Sequence, residues 1–132
     1  MRLLERIQDV LALDDAIVAM LQGANRVGTN MRLLPHPRCI ELGIISDAEQ
    51  DLKRQKSVAR VSVTVYCDNG SVVHEIASRA IDLLTPQALT LRTPEHARLI
   101  VGSVRKTAHS TLPVDDHGHQ IELTFTIRYL NY

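Results

Sequence analysis

The sequence predicts a two-layer α+β domain in which helices pack on one face of a mainly antiparallel, four-stranded sheet. Apolar and polar residues alternate strictly over 61–66 and 119–130, which is typical of strands with one buried face. Residues 72–84 instead repeat apolar side chains at helical spacing. The 132 residues fit a single domain over 1–132, with the element order α-(α)-β-β-α-β-β.

The N-terminal part predicts two amphipathic helices, or one bent helix. An apolar stripe at helical spacing runs through residues 2–13, formed by Leu3, Leu4, Ile7, Val10 and Leu11. Asp14 is a favourable N-cap for a second helix, and Gly23 is a suitable stop. Residues 23–37 are rich in Gly, Asn and Pro, a composition that predicts a connecting segment. This segment either lacks regular structure or contains a short strand near 31–34.

Two β-hairpins are predicted, one on each side of the 72–84 helix. The first joins an apolar strand that begins at Cys39 to the alternating strand 61–66 through a long polar tip, residues 46–57. The second joins a strand over 98–109 to the strand over 119–130 through a loop, residues 110–118. The stripe that we expect to pack the helix onto the sheet consists of Val72, Ile76, Ala80 and Leu84.

Composition excludes several classes of protein. Lys and Arg total 15 and Asp and Glu total 15, so the basic excess of a typical nucleic-acid binder is missing. A net charge of zero gives little protection against self-association, which favours a subunit of an assembly. Charged residues interrupt the first six positions, which lack the apolar stretch of a secretory signal. Cys39 and Cys67 are expected to be buried, reduced thiols, with a disulfide between them as the alternative.

The most suggestive polar cluster is Asp115, Asp116, His117 and His119, with His109 at the other end of the predicted loop. These side chains could bind a transition metal, but their spacing matches no specific metal motif. The run Asp-Asp-His-Gly is equally typical of a hairpin turn. Nucleophile and phosphate-loop motifs are also missing from the sequence. We therefore expect no catalytic residue, metal or cofactor, and a small metal-dependent enzyme using 115–119 remains the alternative.

The order of elements resembles that of the tail terminator, or tail completion, proteins of long-tailed bacteriophages and prophages. The first half of the resemblance consists of a leading helix, the entry into a strand at 35–38 and a hairpin that ends in 60–66. The second half consists of the helix 72–84 and a closing hairpin that ends in 121–129. It implies a virion protein of the tail or neck, made in the host bacterial cytoplasm, that is not an enzyme. Six copies would form a ring that caps the tail tube and joins it to the head-side connector. DNA could pass through such a ring without being read in sequence.

The polar tip of the first hairpin is the candidate contact surface. Its first half is acidic and its second half basic, and the charged residues are Asp47, Glu49, Asp51, Lys53, Arg54 and Lys56. Opposite charges on one segment suit a head-to-tail contact with an identical neighbour, although such a segment is also typical of a solvated loop. Another ring-forming neck, connector or tail-tube component remains the alternative function.

Overall fold

The computed structural model describes residues 2–31, 37–51, 56–92, 97–115 and 118–131. Its helices are α1 (Arg2–Ala12), α2 (Asp15–Leu21), α3 (Gly70–Leu83) and α4 (Pro86–Leu89). Its strands are β1 (Val27–Gly28), β2 (Cys39–Asp51), β3 (Lys56–Cys67), β4 (Leu91–Arg92), β5 (Ala97–Asp115) and β6 (Gly118–Asn131).

The strands form one mixed sheet in the order β1-β2-β3-β6-β5-β4. The long strands β2, β3, β6 and β5 are antiparallel to their neighbours, whereas β1 runs parallel to β2. The predicted α+β class is thus confirmed, but the predicted count of four strands is wrong because the described residues form six. The extra strands, β1 and β4, contain two residues each, which is too short for an alternating pattern.

One face of the sheet carries the hydrophobic core. The alternating apolar residues of β3 and β6 are buried there, namely Val61, Val63, Val65, Ile121, Leu123, Phe125 and Ile127. Buried residues from α1 and α3 join the same cluster, including Leu3, Ile7, Leu11, Ile76 and Ala80. The strict alternation of the sequence therefore reflects one covered face and one uncovered face.

The α3 stripe is rotated slightly from the predicted one. Ile76, Ala80 and Leu84 are buried as expected, but Val72 is only half-buried and Val73 takes its place in the core. The helix begins after Asn69, whose side chain accepts hydrogen bonds from the amides of Ser71 and Val72 at 2.9 and 3.1 Å. This cap sets the start of α3 two residues earlier than predicted.

Both hairpins extend further than the sequence indicated. In the predicted tip 46–57, Asp47 pairs with Ala59 and Glu49 with Ser57, so most of the segment is strand. In the predicted loop 110–118, β5 continues until Asp115 pairs with Gly118. Those two loop predictions are wrong because the ladder is formed by backbone amide and carbonyl groups and needs no apolar side chains.

Gly118 joins the second hairpin tightly to the turn between β3 and α3. Its φ of 108° lies in the left-handed region that glycine adopts without strain. A Cβ at this position would lie 2.7 Å from the carbonyl oxygen of Cys67 and 2.9 Å from the Cα of Asp68. Both the conformation and the close approach therefore require glycine.

Two arginines connect the helical layer. Arg79 of α3 donates two hydrogen bonds, of 2.7 and 3.1 Å, to the carboxylate of Asp14, which also caps α2 through the amide of Ile17. Arg38 donates to the carbonyl of Met20 and to the carboxylate of Asp68, at 3.0 and 2.6 Å. The second arginine thereby links the end of α2 to the start of β2 and to the β3–α3 turn.

Replacement of Ile76 by Asp is expected to unfold the domain. Ile76 is fully buried, so the variant loses its apolar contacts and places a carboxylate in the core without a partner. We expect a loss of at least about 4 kcal/mol in the free energy of unfolding, measured by urea denaturation. The exposed neighbour variant Glu75→Ala is the control and should unfold like the wild type. A wild-type transition for Ile76→Asp would contradict the packing of α3.

Replacement of Asp14 should reveal a pH-dependent contribution to stability. The Arg79 guanidinium holds the pKa of Asp14 below its ordinary value. The ionised Asp14 carboxylate therefore stabilises the folded state fully above the pKa that Asp14 has in the unfolded chain. This stabilisation is lost as the pH falls through the lower pKa of the folded state. Asp14→Ala is expected to lose about 1–2 kcal/mol at neutral pH. Asp14→Asn keeps the cap and should lose less. The difference between wild type and Asp14→Asn should shrink in acid, and a difference that is constant down to pH 2 would exclude the charged contact.

Candidate assembly interface

Four of the six predicted contact residues have backbones that belong to strands rather than to a loop. The backbones of Asp47, Glu49 and Asp51 belong to β2. Lys56 begins β3, where it pairs with Asp51 on one side and with Leu130 on the other. Lys53 and Arg54 lie outside the described residues. The acidic half of the charged segment therefore lies on an outer long strand of the sheet.

The same strand exposes large apolar side chains. Ile44 and Ile45 are 39% and 47% exposed, and they precede Ser46 and the acidic residues. A shift of register between Ile44 and Ser46 marks an irregularity of the ladder at this point. Exposed isoleucines beside an uncovered strand edge are typical of a surface that another chain covers.

A cluster of arginines lies on the uncovered face of the sheet. Arg60 and Arg105 both pair with Thr126, one from each side, and directly paired residues point to the same face. Arg128 is two positions further along β6, on that same face. All three side chains are exposed, and none forms an ion pair or side-chain hydrogen bond with another described residue. The arrangement makes a positive patch available to an anionic partner.

Acidic residues occupy the other end of this face. Glu41 and Glu122 pair with Thr64 from its two sides, four positions or about 13 Å along β3 from Arg60. The hydroxyl of Tyr66 donates to a carboxylate oxygen of Glu41 at 3.4 Å. The uncovered face therefore carries opposite charge at its two ends.

A cavity of about 250 Å³ opens at the basic end of the sheet. Its apolar lining comes from three half-buried side chains on three adjacent strands, Val58, Ile100 and Leu130. Arg128 lines the same recess. An apolar floor beside a cation is suited to receiving a side chain of a protein partner.

The candidate metal residues are not brought together. Asp115 ends β5, whereas Asp116 and His117 lie outside the described residues. His119 lies against Gly70 at the start of α3, where an added Cβ would be 3.2 Å from the imidazole Cε1. His109 pairs with Leu123, about 13 Å further along β6. Within the described ranges, no group of three or more His, Cys, Asp or Glu side chains is placed to hold a metal ion.

The surroundings of His109 also disfavour a ligand role. Its Nδ1 lies 3.2 Å from the Nζ of Lys106. Partial desolvation and this neighbouring ammonium lower the pKa of His109, so the ring is neutral at pH 7. A cation beside the ring would repel a metal ion.

The two cysteines are buried, as predicted, and point to opposite faces of the sheet. Cys39 pairs with Tyr66, so the adjacent Cys67 faces the other way, towards the helices. This geometry explains why no disulfide joins them. Burial raises the pKa of the Cys67 thiol, which keeps it protonated and unreactive.

The arginine patch was not predicted from the sequence, although a partial signal was present. The alternation of β6 already assigns Arg128 to the polar face. Its closeness to Arg60 and Arg105 depends on the pairing of β3 and β5 with β6, which alternation within each strand does not specify.

None of the helices in the described part of the chain has the length and hydropathy needed to cross a membrane.

Comparisons with known proteins support the fold. No protein-family model matches the sequence, and no curated protein matches it. Among solved structures, the chain is similar to one from the virion of a native gene transfer agent (GTA) particle, with a TM-score of 0.69 and 18% identity. The similarity covers 93% of this chain and 90% of that one. A second solved structure has a TM-score of 0.51 at 22% identity and covers 98% and 95% of the two chains. The two-layer α+β architecture is thus shared with solved structures over nearly the whole chain.

Proposed function

We propose that this chain is a structural protein of a virion of the long-tailed phage type, and that residues 1–132 act as a single tail-terminator-like domain. Six copies form a ring that caps the tail tube and joins it to the head-side connector. The protein has no catalytic residue or cofactor. It is made in the host bacterial cytoplasm and ends in the tail or neck of the particle.

The observation that carries this proposal is the fold similarity to a chain of the GTA virion. It extends over 93% of one chain and 90% of the other, so the likeness is not confined to a common motif. The order of elements, which resembles tail terminators, supports the same assignment independently of the coordinates.

The surfaces of the molecule also fit a subunit of an assembly. A charged strand with exposed isoleucines lies on one side of the sheet, and an arginine patch with an adjoining apolar cavity lies on its uncovered face. We propose that Asp47, Glu49, Asp51, Lys53, Arg54 and Lys56 contact a neighbouring subunit or the tail tube.

A ring is the first expected outcome. Purified protein should have a solution mass of about 88 kDa by light scattering, six times the 14.7 kDa of one chain, and should form rings in negative-stain images. Deletion of the gene in a strain that produces the particles should leave heads and tails unjoined. A monomeric protein would contradict the ring. Normal tails with unfinished heads would assign the protein to the head-side connector instead.

Neutralising the basic half of the charged hairpin should weaken assembly without unfolding the protein. The variant Lys53→Gln, Arg54→Gln, Lys56→Gln removes three charges and substitutes none of the residues that form the described core. We expect a wild-type thermal transition, together with a ring that dissociates at lower salt or joins tails less efficiently. The control Asp9→Asn, Glu75→Gln neutralises two exposed charges on α1 and α3 and should assemble like the wild type. Unchanged ring mass and unchanged tail joining would show that the segment is merely solvated.

A further inference from the structure

Two strand edges of the sheet are largely open. On one side, β1 pairs with β2 only at Ile40 and Glu41. On the other side, β4 pairs with β5 at Ala97 and Leu99, and the Thr90 hydroxyl accepts the amide of Val101 at 3.1 Å. Beyond these points, the outer edges of 42–51 and 102–115 have no neighbouring strand among the described residues. Both are longer than a mean strand of about five to six residues.

These open edges carry opposite charge. Segment 42–51 of β2 contains the acids Asp47, Glu49 and Asp51 and no base. The open edge 102–115 of β5 contains the bases Arg105 and Lys106, the neutral ring of His109, and a single acid, Asp115, at its far end. A β2 edge would therefore attract the β5 edge of another copy, whereas two β2 edges or two β5 edges would repel each other.

The strand directions fit the same pairing. Because β2 is antiparallel to β3, β3 to β6 and β6 to β5, the strands β2 and β5 run in opposite directions. Copies related by rotation about an axis parallel to the strands would place β5 of one antiparallel to β2 of the next. That is the geometry of every long pair within the sheet, and it uses different surfaces on the two partners, as closure into a ring requires.

Apolar exposure points to the same edge. Ile44 and Ile45 lie within the open part of β2, and each is more than a third exposed. A strand placed beside them would cover these side chains as well as the free backbone groups.

We propose that neighbouring copies join edge to edge, with β5 of one copy pairing antiparallel to β2 of the next, so that the sheets continue around the assembly. This inference rests on the proposed ring and names the two surfaces that build it. The partner recognised by the acidic strand is the basic edge of a second copy of this chain.

Charge reversal and charge exchange test the pairing. The β5 variant Arg105→Glu, Lys106→Glu and the β2 variant Asp47→Lys, Glu49→Lys each place like charges across the contact. Each should need at least about tenfold more protein for half-assembly, measured by light scattering at low salt. A chain carrying all four changes restores opposite charges and should assemble again. Thermal melts of each variant show whether it is folded.

A matched control separates the effect of charge at the two edges from the effect of charge elsewhere on the surface. The variant Asp9→Lys, Glu75→Lys reverses two exposed acids on α1 and α3 and should assemble like the wild type. Rings that are insensitive to the edge reversals, or a four-change chain that stays monomeric while folded, would overturn the edge pairing and leave the ring function standing. A wild-type protein that is monomeric would overturn both.

Hydrogen exchange gives a readout that depends on the backbone. In the wild-type ring, peptides from 42–51 and 102–111 should exchange more slowly than in the folded monomeric variants. Peptides from α3 should exchange equally in both states. Equal exchange of the two edges in ring and monomer would contradict the pairing.

Discussion

The structure depends on the burial of a single face of the sheet. The apolar residues that alternate along β3 and β6 meet the helices on that face, and their partners in the alternation face away. Since the helices of the described chain all contribute to one core cluster, the opposite face has no comparable cover. The same constraint that makes the domain stable therefore leaves a polar surface on the other face of the described sheet available to other molecules.

Polar contacts then fix how the helical layer sits on the sheet. Arg38 and Arg79 each bind a carboxylate at a chain turn, Asp68 and Asp14 respectively, and so tie α2 to α3 and to the strands. These pairs lie at the surface, where an ion pair contributes little alone. Their effect is to orient elements that apolar burial has already brought together.

Much of the fold could be predicted from the sequence because its signals are local. The alternation in 119–130 and the cap at Asp14 each depend on neighbouring residues, and both were confirmed. The polar ends of the hairpins were missed because the ladder 46–51 against 56–60 has no apolar pattern to reveal it. The arginine patch was missed because it forms only when β3, β6 and β5 lie side by side. The role of the charged hairpin stays a prediction.

The central seam between β3 and β6 has a consequence for how the molecule folds. Lys56 pairs with Leu130 and Cys67 with His119, so every pair in this seam spans more than 50 positions of the chain. Each of the two hairpins, by contrast, pairs strands that are close together in the sequence, so each hairpin can form early. Until they dock, the inner edges of β3 and β6 are exposed in addition to the outer ones. The interval before docking is therefore when a nascent subunit is most vulnerable to misassociation, and rapid closure of the seam protects it.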